Sequence, residues 1–169
     1  MNMKFAHRIS YLGFLPALIL GMFSTNSLLA AGPPMNTLKN RIDYEYVGHL
    51  GQRDDAGRLL VWQGTIEGDI NGTMMWWFGA PPVPGIVFNG GRVGYYGARW
   101  EIWDGDVLLL AGESSGKTVI PDGEDGIWDG HGVVTEAAES LNTLKGLSIY
   151  ETGPVIFSTF SGTGLFLIY

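Results

Sequence analysis

Hydrophobic and polar residues alternate along much of this chain with a period of two, the spacing of a strand whose two faces differ. The plainest stretch is 58–70, where Leu60, Trp62, Ile66 and Ile70 fall on one side of an extended backbone and Gln63, Thr65, Glu67 and Asp69 on the other. That pattern predicts a strand with one dry face. A Tyr-, Val- and Ile-rich run at 42–50 precedes it, separated by the polar break from Gly51 to Gly57. Asn71-Gly72 reads as a two-residue type I′ hairpin turn, because both residues tolerate positive φ, and pairs 58–70 with 73–78. Asp104-Gly105 does the same for 95–103 and 106–111.

Four further short runs, at 127–135, 147–151, 155–160 and 165–169, are rich in β-branched or aromatic residues and separated by Gly, Asp, Asn or Pro. Only 135–144 resembles a helical turn, and it is too short for a stable helix. About eight strands at hairpin spacing point to a closed barrel or a two-sheet sandwich. Glycines inside the strand patterns, at Gly64, Gly68, Gly97, Gly130 and Gly132, favour the barrel, which needs sharp bends to close. The predicted fold is therefore all-β: a small antiparallel β-barrel of about eight strands over 41–169, after a signal peptide at 1–31 and a leader at 32–40.

The signal peptide is read from Lys4 and Arg8 ahead of an apolar stretch at 11–23, with small residues at Ala30 and Ala31. A bilayer span takes roughly 20 apolar residues, and Pro16, Gly21 and Ser24-Thr25-Asn26-Ser27 interrupt this one sooner. Export to the periplasm or the medium follows as an expectation. With Lys4 and Arg8 removed, eight basic residues face seventeen acidic ones, a net charge of −9 in place of the full chain's −7. Such a surface repels phosphate backbones, so no nucleic-acid partner is expected. Cysteine is absent, which excludes disulfides, a thiol nucleophile and a Cys-ligated metal.

Several motifs suggest chemistry. Ala111-Gly112-Glu113-Ser114-Ser115-Gly116-Lys117-Thr118 fits a relaxed phosphate-binding loop, but Pro121 and Gly123 follow where that motif needs a helix. Gly112-Glu113-Ser114-Ser115-Gly116 fits a hydrolase nucleophile elbow, which also needs a strand-to-helix turn and then an acid and a histidine in order. A strand leading into a glycine-rich surface loop is the simpler reading of both. Asp122, Glu124, Asp125 and Asp129 form an acidic loop whose spacing departs from the helix-flanked calcium loop, and no metal site is assigned.

Asp129 and His131 lie two apart on one strand and so share a face, the arrangement of an acid–base pair. If Trp128 and Val134 point inward, both instead face solvent. Trp62, Tyr96, Trp100 and Trp128 fall on the apolar sides of their strands and converge in a barrel interior, either as core or as the lining of a ligand cavity. Arg99 and Glu101 then form an outward pair. Asn71-Gly72-Thr73 also matches a glycosylation acceptor, though a turn explains it.

Glu67-Gly68-Asp69-Ile70-Asn71-Gly72, Trp128-Asp129-Gly130-His131-Gly132-Val133-Val134-Thr135 and Leu144-Lys145-Gly146 place glycines at strand ends in a pattern that resembles the allene oxide cyclase and dirigent group of eight-stranded barrels. The resemblance implies a cavity that holds a hydrophobic small molecule and steers a cyclisation or coupling by shape and a few polar groups, without a cofactor.

The expected function is binding of a small apolar or aromatic molecule inside an exported barrel, with Trp62, Tyr96, Trp100 and Trp128 as its lining. A cofactor-free cyclase or isomerase using Asp129 and His131 is the second expectation. An outer-membrane barrel is the third, suggested by the alternating apolar C-terminus ending in Tyr169. Stable membrane insertion is nonetheless not expected, because Gln63, Thr65, Glu67 and Asp69 put polar and charged groups where lipid would lie.

Overall fold

The computed structural model describes residues 36–79, 83–88, 91–121, 125–156 and 158–169. The signal-peptide expectation at 1–31 lies outside them. The described residues form nine strands and two short 3-10 helices. The strands are β1 (Leu38–Tyr46), β2 (Leu59–Gly68), β3 (Gly72–Phe78), β4 (Val83–Phe88), β5 (Gly91–Asp104), β6 (Val107–Ile120), β7 (Gly126–Ala137), β8 (Ser148–Val155) and β9 (Ser161–Ile168).

Neighbouring strands pair antiparallel in the order β3-β2-β1-β9-β8-β7-β6-β5, and β3 pairs with β5 to close the ring at eight strands. The fold is thus an all-β closed barrel. Strand β4 is outside the ring: β5 is 14 residues long, its C-terminal half pairs with β3 from Trp103 to Ala98, and β4 hairpins onto its overhanging N-terminal end.

Alternation places the core as the pattern predicts. Ile42, Met74, Trp100, Ile102, Leu110, Ile149, Phe166 and Ile168 are fully buried. Leu141 and Leu144, from the 3-10 helix Glu139–Leu144, pack against this cluster at the end of the barrel where β1 begins and β9 ends. Asn40 is the buried polar residue at that end. Its Oδ1 accepts from the Ile70 N–H at 2.8 Å and its Nδ2 donates to the Phe166 carbonyl at 3.3 Å, so neither function is orphaned.

Several expectations change, among them the strand at 155–160, since β8 ends at Val155 and residues 158–160 form a turn, and the second turn, which is Gly105-Asp106. The barrel begins before the expected residue 41, because β1 starts at Leu38 and Asn40 turns inward within it. The first hairpin has the expected strands but another turn: neither Asn71 nor Gly72 has positive φ, and Gly68 takes φ 145° instead. The segment that fits a phosphate loop and a nucleophile elbow is neither, since β6 runs unbroken through 107–120. Gly112 is there because a side chain would collide. A Cβ would sit 2.1 Å from the Val133 carbonyl oxygen and 2.3 Å from the Trp100 ring. Without a turn or a following helix, both phosphate binding and elbow chemistry lose their mechanism.

Candidate functional site

At the other end, where β1, β6 and β8 finish and β2, β5 and β7 begin, the barrel is hollow. A cavity of about 710 Å³ opens there, within the range of small-molecule sites. Tyr, Trp and Phe side chains supply eight of its seventeen lining residues, and Arg53 is among the others.

The rings meet because inward positions on adjacent strands are in register, Trp62 beside both Tyr46 and Trp76. Tyr44 sits at their centre, edge-on to Trp62 and Trp128 at 5.7 Å and to Trp76 at 6.2 Å between ring centroids. Phe78 stacks on Tyr96 at 5.5 Å. These are the offset and edge-to-face contacts that aromatic quadrupoles favour.

Two tyrosine hydroxyls reach into slots that glycines leave open, and their surroundings differ. A Cβ on Gly153 or Gly162 would stand 2.5 or 2.7 Å from the Tyr44 oxygen. In that slot the Tyr44 hydroxyl donates to the Pro154 carbonyl and accepts from Trp128 Nε1 at 2.8 Å. Burial pushes its pKa up to about 12, so it stays a neutral, fully paired brace.

Tyr96 occupies the other slot, formed by the paired glycines Gly116 and Gly130, whose Cβ atoms would lie 2.7 and 2.3 Å from its oxygen. Beyond it is Glu151, fully buried yet abutting the cavity. Trp76 Nε1 donates to Glu151 Oε2 at 2.9 Å, and the Tyr96 hydroxyl lies 3.2 Å from Oε1. Burial raises the Glu151 pKa above the ordinary 4.5, against the pull of the neighbouring donors. The Tyr96 pKa is also raised, by burial first and then by the charge of Glu151.

None of the ion pairs among the described residues involves Glu151. Ser114, from the segment read as a possible nucleophile elbow, is buried beside it. Its proximity favours the charged carboxylate, although its hydroxyl meets no partner in hydrogen-bond geometry. A carboxyl group under aromatic walls is the most chemically capable feature here. It can accept or release a proton next to an apolar space.

The structure separates the expected site residues. Trp62, Tyr96 and Trp128 line the cavity. Trp100 also points inward, but lies beyond the cavity floor, fully buried edge-on to Phe166 at 5.1 Å. Asp129 and His131 are on the outer face of β7, because Trp128 and Gly130 take the inward positions. Their neighbours of the same parity, Ile127 and Val133, are exposed. The exposed His131 packs against the outward ring of Tyr150 at 4.9 Å. The pair shares a face as expected, and that face is away from the cavity.

Arg99 and Glu101 pair on the outer wall at 2.7 Å, with Trp77 and Trp103 both donating to Glu101. Residues 122–124 of the acidic loop lie outside the described residues. Among the described ones no cluster of three or more His, Asp or Glu is placed to hold a metal.

Glu151, Tyr44, Trp76 and Phe78 also line the cavity and were not among the residues expected there. The signal for Glu151 was its parity: it shares a face with Ile149, Gly153 and Val155 along β8. Comparison with protein-family models, with curated proteins and with solved structures returns no match.

Proposed function

We propose that this chain is an exported barrel that holds a small hydrophobic or aromatic molecule in the cavity at its open end. The observation that carries the reading is an aromatic-walled space of about 710 Å³ in a barrel whose opposite end is packed solid. The charge, apolar stretch and small residues at 1–31 support export. The outer wall supports a water-facing barrel. It carries Lys39, Arg41, Glu67 and Glu113 exposed and the interior is apolar, the reverse of an outer-membrane barrel with its lipid-facing apolar band. Titrating tryptophan fluorescence with a panel of fatty acids and phenolics tests the reading, because Trp62, Trp76 and Trp128 sit in the walls. Saturable quenching or a spectral shift is expected for at least one class. Flat titrations across the panel, confirmed by calorimetry, would remove it.

The cofactor-free cyclase or isomerase is the second reading, and a specific observation favours it. The buried Glu151 carboxyl and the Tyr96 hydroxyl stand together at the cavity, where a proton would have to move. This moves the proposed acid–base chemistry from Asp129 and His131 to Tyr96 and Glu151. Turnover of a bound epoxide or enone that is lost in Glu151→Gln would support it; equal turnover in that variant would dismiss it.

A further inference from the structure

We propose that Tyr96 and Glu151 make the inner wall of the cavity a hydrogen-bond donor for a neutral acceptor oxygen, so that the preferred ligand is an apolar molecule carrying a carbonyl group. The inference rests on the cavity being a ligand site and assigns the chemistry of what enters it.

Trp76 sets the polarity of the Glu151 carboxyl group. An indole N–H only donates, so Glu151 Oε2, 2.9 Å away, has to be the acceptor oxygen of the carboxyl group. Glu151 is fully buried and takes part in no ion pair among the described residues, conditions that favour the neutral acid. Its proton then belongs on Oε1, which faces the Tyr96 oxygen at 3.2 Å. Ser114 is the other hydroxyl near the carboxyl group and pulls toward its charged form, but its contact falls short of hydrogen-bond geometry, so Tyr96 at 3.2 Å is the better-placed acceptor.

Once Tyr96 accepts from Glu151, its own hydrogen has to turn elsewhere. Tyr96 makes no other hydrogen bond among the described residues, and its ring lines the cavity. A buried donor hydrogen without an acceptor is unfavourable by about 1–3 kcal/mol, so an acceptor oxygen in the cavity satisfies the hydrogen that this proton arrangement turns away from Glu151. Gly116 and Gly130 maintain the geometry, since a side chain at either would push the phenol off Glu151.

The relay depends on one proton. If Glu151 ionises, the Tyr96 hydrogen returns to the carboxylate and the donor facing the cavity is lost. Several groups bear on that titration. Tyr96 from β5, Ser114 from β6 and Trp76 from β3 face the carboxyl group directly, while the charge of His131 on β7 acts on it through the sheet. Asp129 of β7 and Tyr150 of β8 act in the same way on Tyr96. Binding of a carbonyl ligand should therefore weaken as the medium is made alkaline, whereas binding of a hydrocarbon of the same shape should not follow that titration.

The test uses 2-acetylnaphthalene and 2-isopropenylnaphthalene, isosteres that differ in C=O against C=CH₂, titrated into the purified protein from mildly acidic to mildly alkaline solution. The wild type is expected to favour the ketone by about tenfold while Glu151 keeps its proton, with the ratio falling toward unity once the medium is alkaline enough to remove it. In Tyr96→Phe the ratio should be near unity throughout. In Glu151→Gln the amide N–H donates to Tyr96 and its carbonyl serves Trp76, so the preference should persist and become independent of pH. Equal affinity for the two probes in the wild type, or an undiminished preference in Tyr96→Phe, overturns the inference and leaves the hydrophobic site standing. Failure of both probes to bind overturns the inference together with the reading beneath it.

Discussion

The two ends of this barrel share strands and alternation, yet one is solid and the other hollow. At the closed end Ile42, Ile66, Met74, Ile102, Leu110, Ile149 and Ile168 fill the interior around Trp100 and Phe166, and the 3-10 helix lays Leu141 and Leu144 against them. Branched and flexible aliphatic chains can interdigitate to the density of an organic crystal. At the open end the inward positions carry stiff rings, with Tyr44 braced by Trp128 and Pro154 and Trp76 tied to Glu151. Rings fixed edge-to-face by their own hydrogen bonds cannot fold inward to fill a void. The hollow is thus written into side-chain identity, on a backbone that would equally serve a solid barrel.

Truncation at the solid end should give the largest effect. Phe166→Ala removes a fully buried ring packed on Trp100 and is expected to cost about 3–5 kcal/mol in denaturant unfolding. A loss below about 1 kcal/mol would mean that this end is not packed as described. Gly112→Ala comes next, since its Cβ would meet the Val133 carbonyl and the Trp100 ring at 2.1 and 2.3 Å. Overpacking of that kind costs about 1–3 kcal/mol, read as a lowered unfolding midpoint. An unchanged midpoint would show that β6 can yield at Gly112.

The sequence showed the alternation better than it showed the boundaries. Leu60, Trp62 and Ile66 declared their face, and the barrel followed from strand number and in-strand glycines, while the second hairpin forms with Gly105 at positive φ but turns at Gly105-Asp106, Asp104 staying in the strand. The middle of β6 did not show itself, because Gly112, Ser114, Ser115 and Gly116 have the composition of a loop. The small size of Gly112 and Gly116 serves the neighbouring Trp100 and Tyr96 rings, a tertiary cause that no local pattern carries. Glu151 was hidden for a related reason. With a strand expected only over 147–151 it stood at an end, whereas β8 runs on through Gly153 and Pro154 and makes it an interior position. Asp129 and His131 shared a face as read, but which face was decided by Trp128 and Gly130 turning inward.

The pH dependence of stability sharpens the comparison at the hollow end. Glu151 has a folded pKa raised above the ordinary 4.5 by burial, so between 4.5 and the folded value the native state keeps a proton that the unfolded chain has released. Stability therefore falls as pH rises through that window, by at most about 1.4 kcal/mol per pH unit, and levels off above it. Glu151→Gln has no such proton. Its melting temperature should gain on the wild type progressively above pH 4.5 and match its slope below it. Parallel curves for the two proteins would mean that Glu151 titrates normally and that the cavity wall is wetter than its burial indicates.

The smallest expected change in stability is also the cleanest probe of the void. Gly94 lines the cavity with no atom of the described residues within 4 Å of where its Cβ would be, and its φ is not positive, so a side chain there meets no described wall and no backbone strain. Gly97, three residues along β5, has the same freedom but points outward and is exposed. Leucine at either position should shift stability by less than about 1 kcal/mol, in contrast to Gly112→Ala in the solid half. The two should part in binding. Gly94→Leu places a branched chain in the ligand's space and should lower the affinity for any probe the wild type holds, while Gly97→Leu should not. If Gly94→Leu were strongly destabilising, the open end would be as tightly filled as the closed one and the contrast between the two halves would disappear.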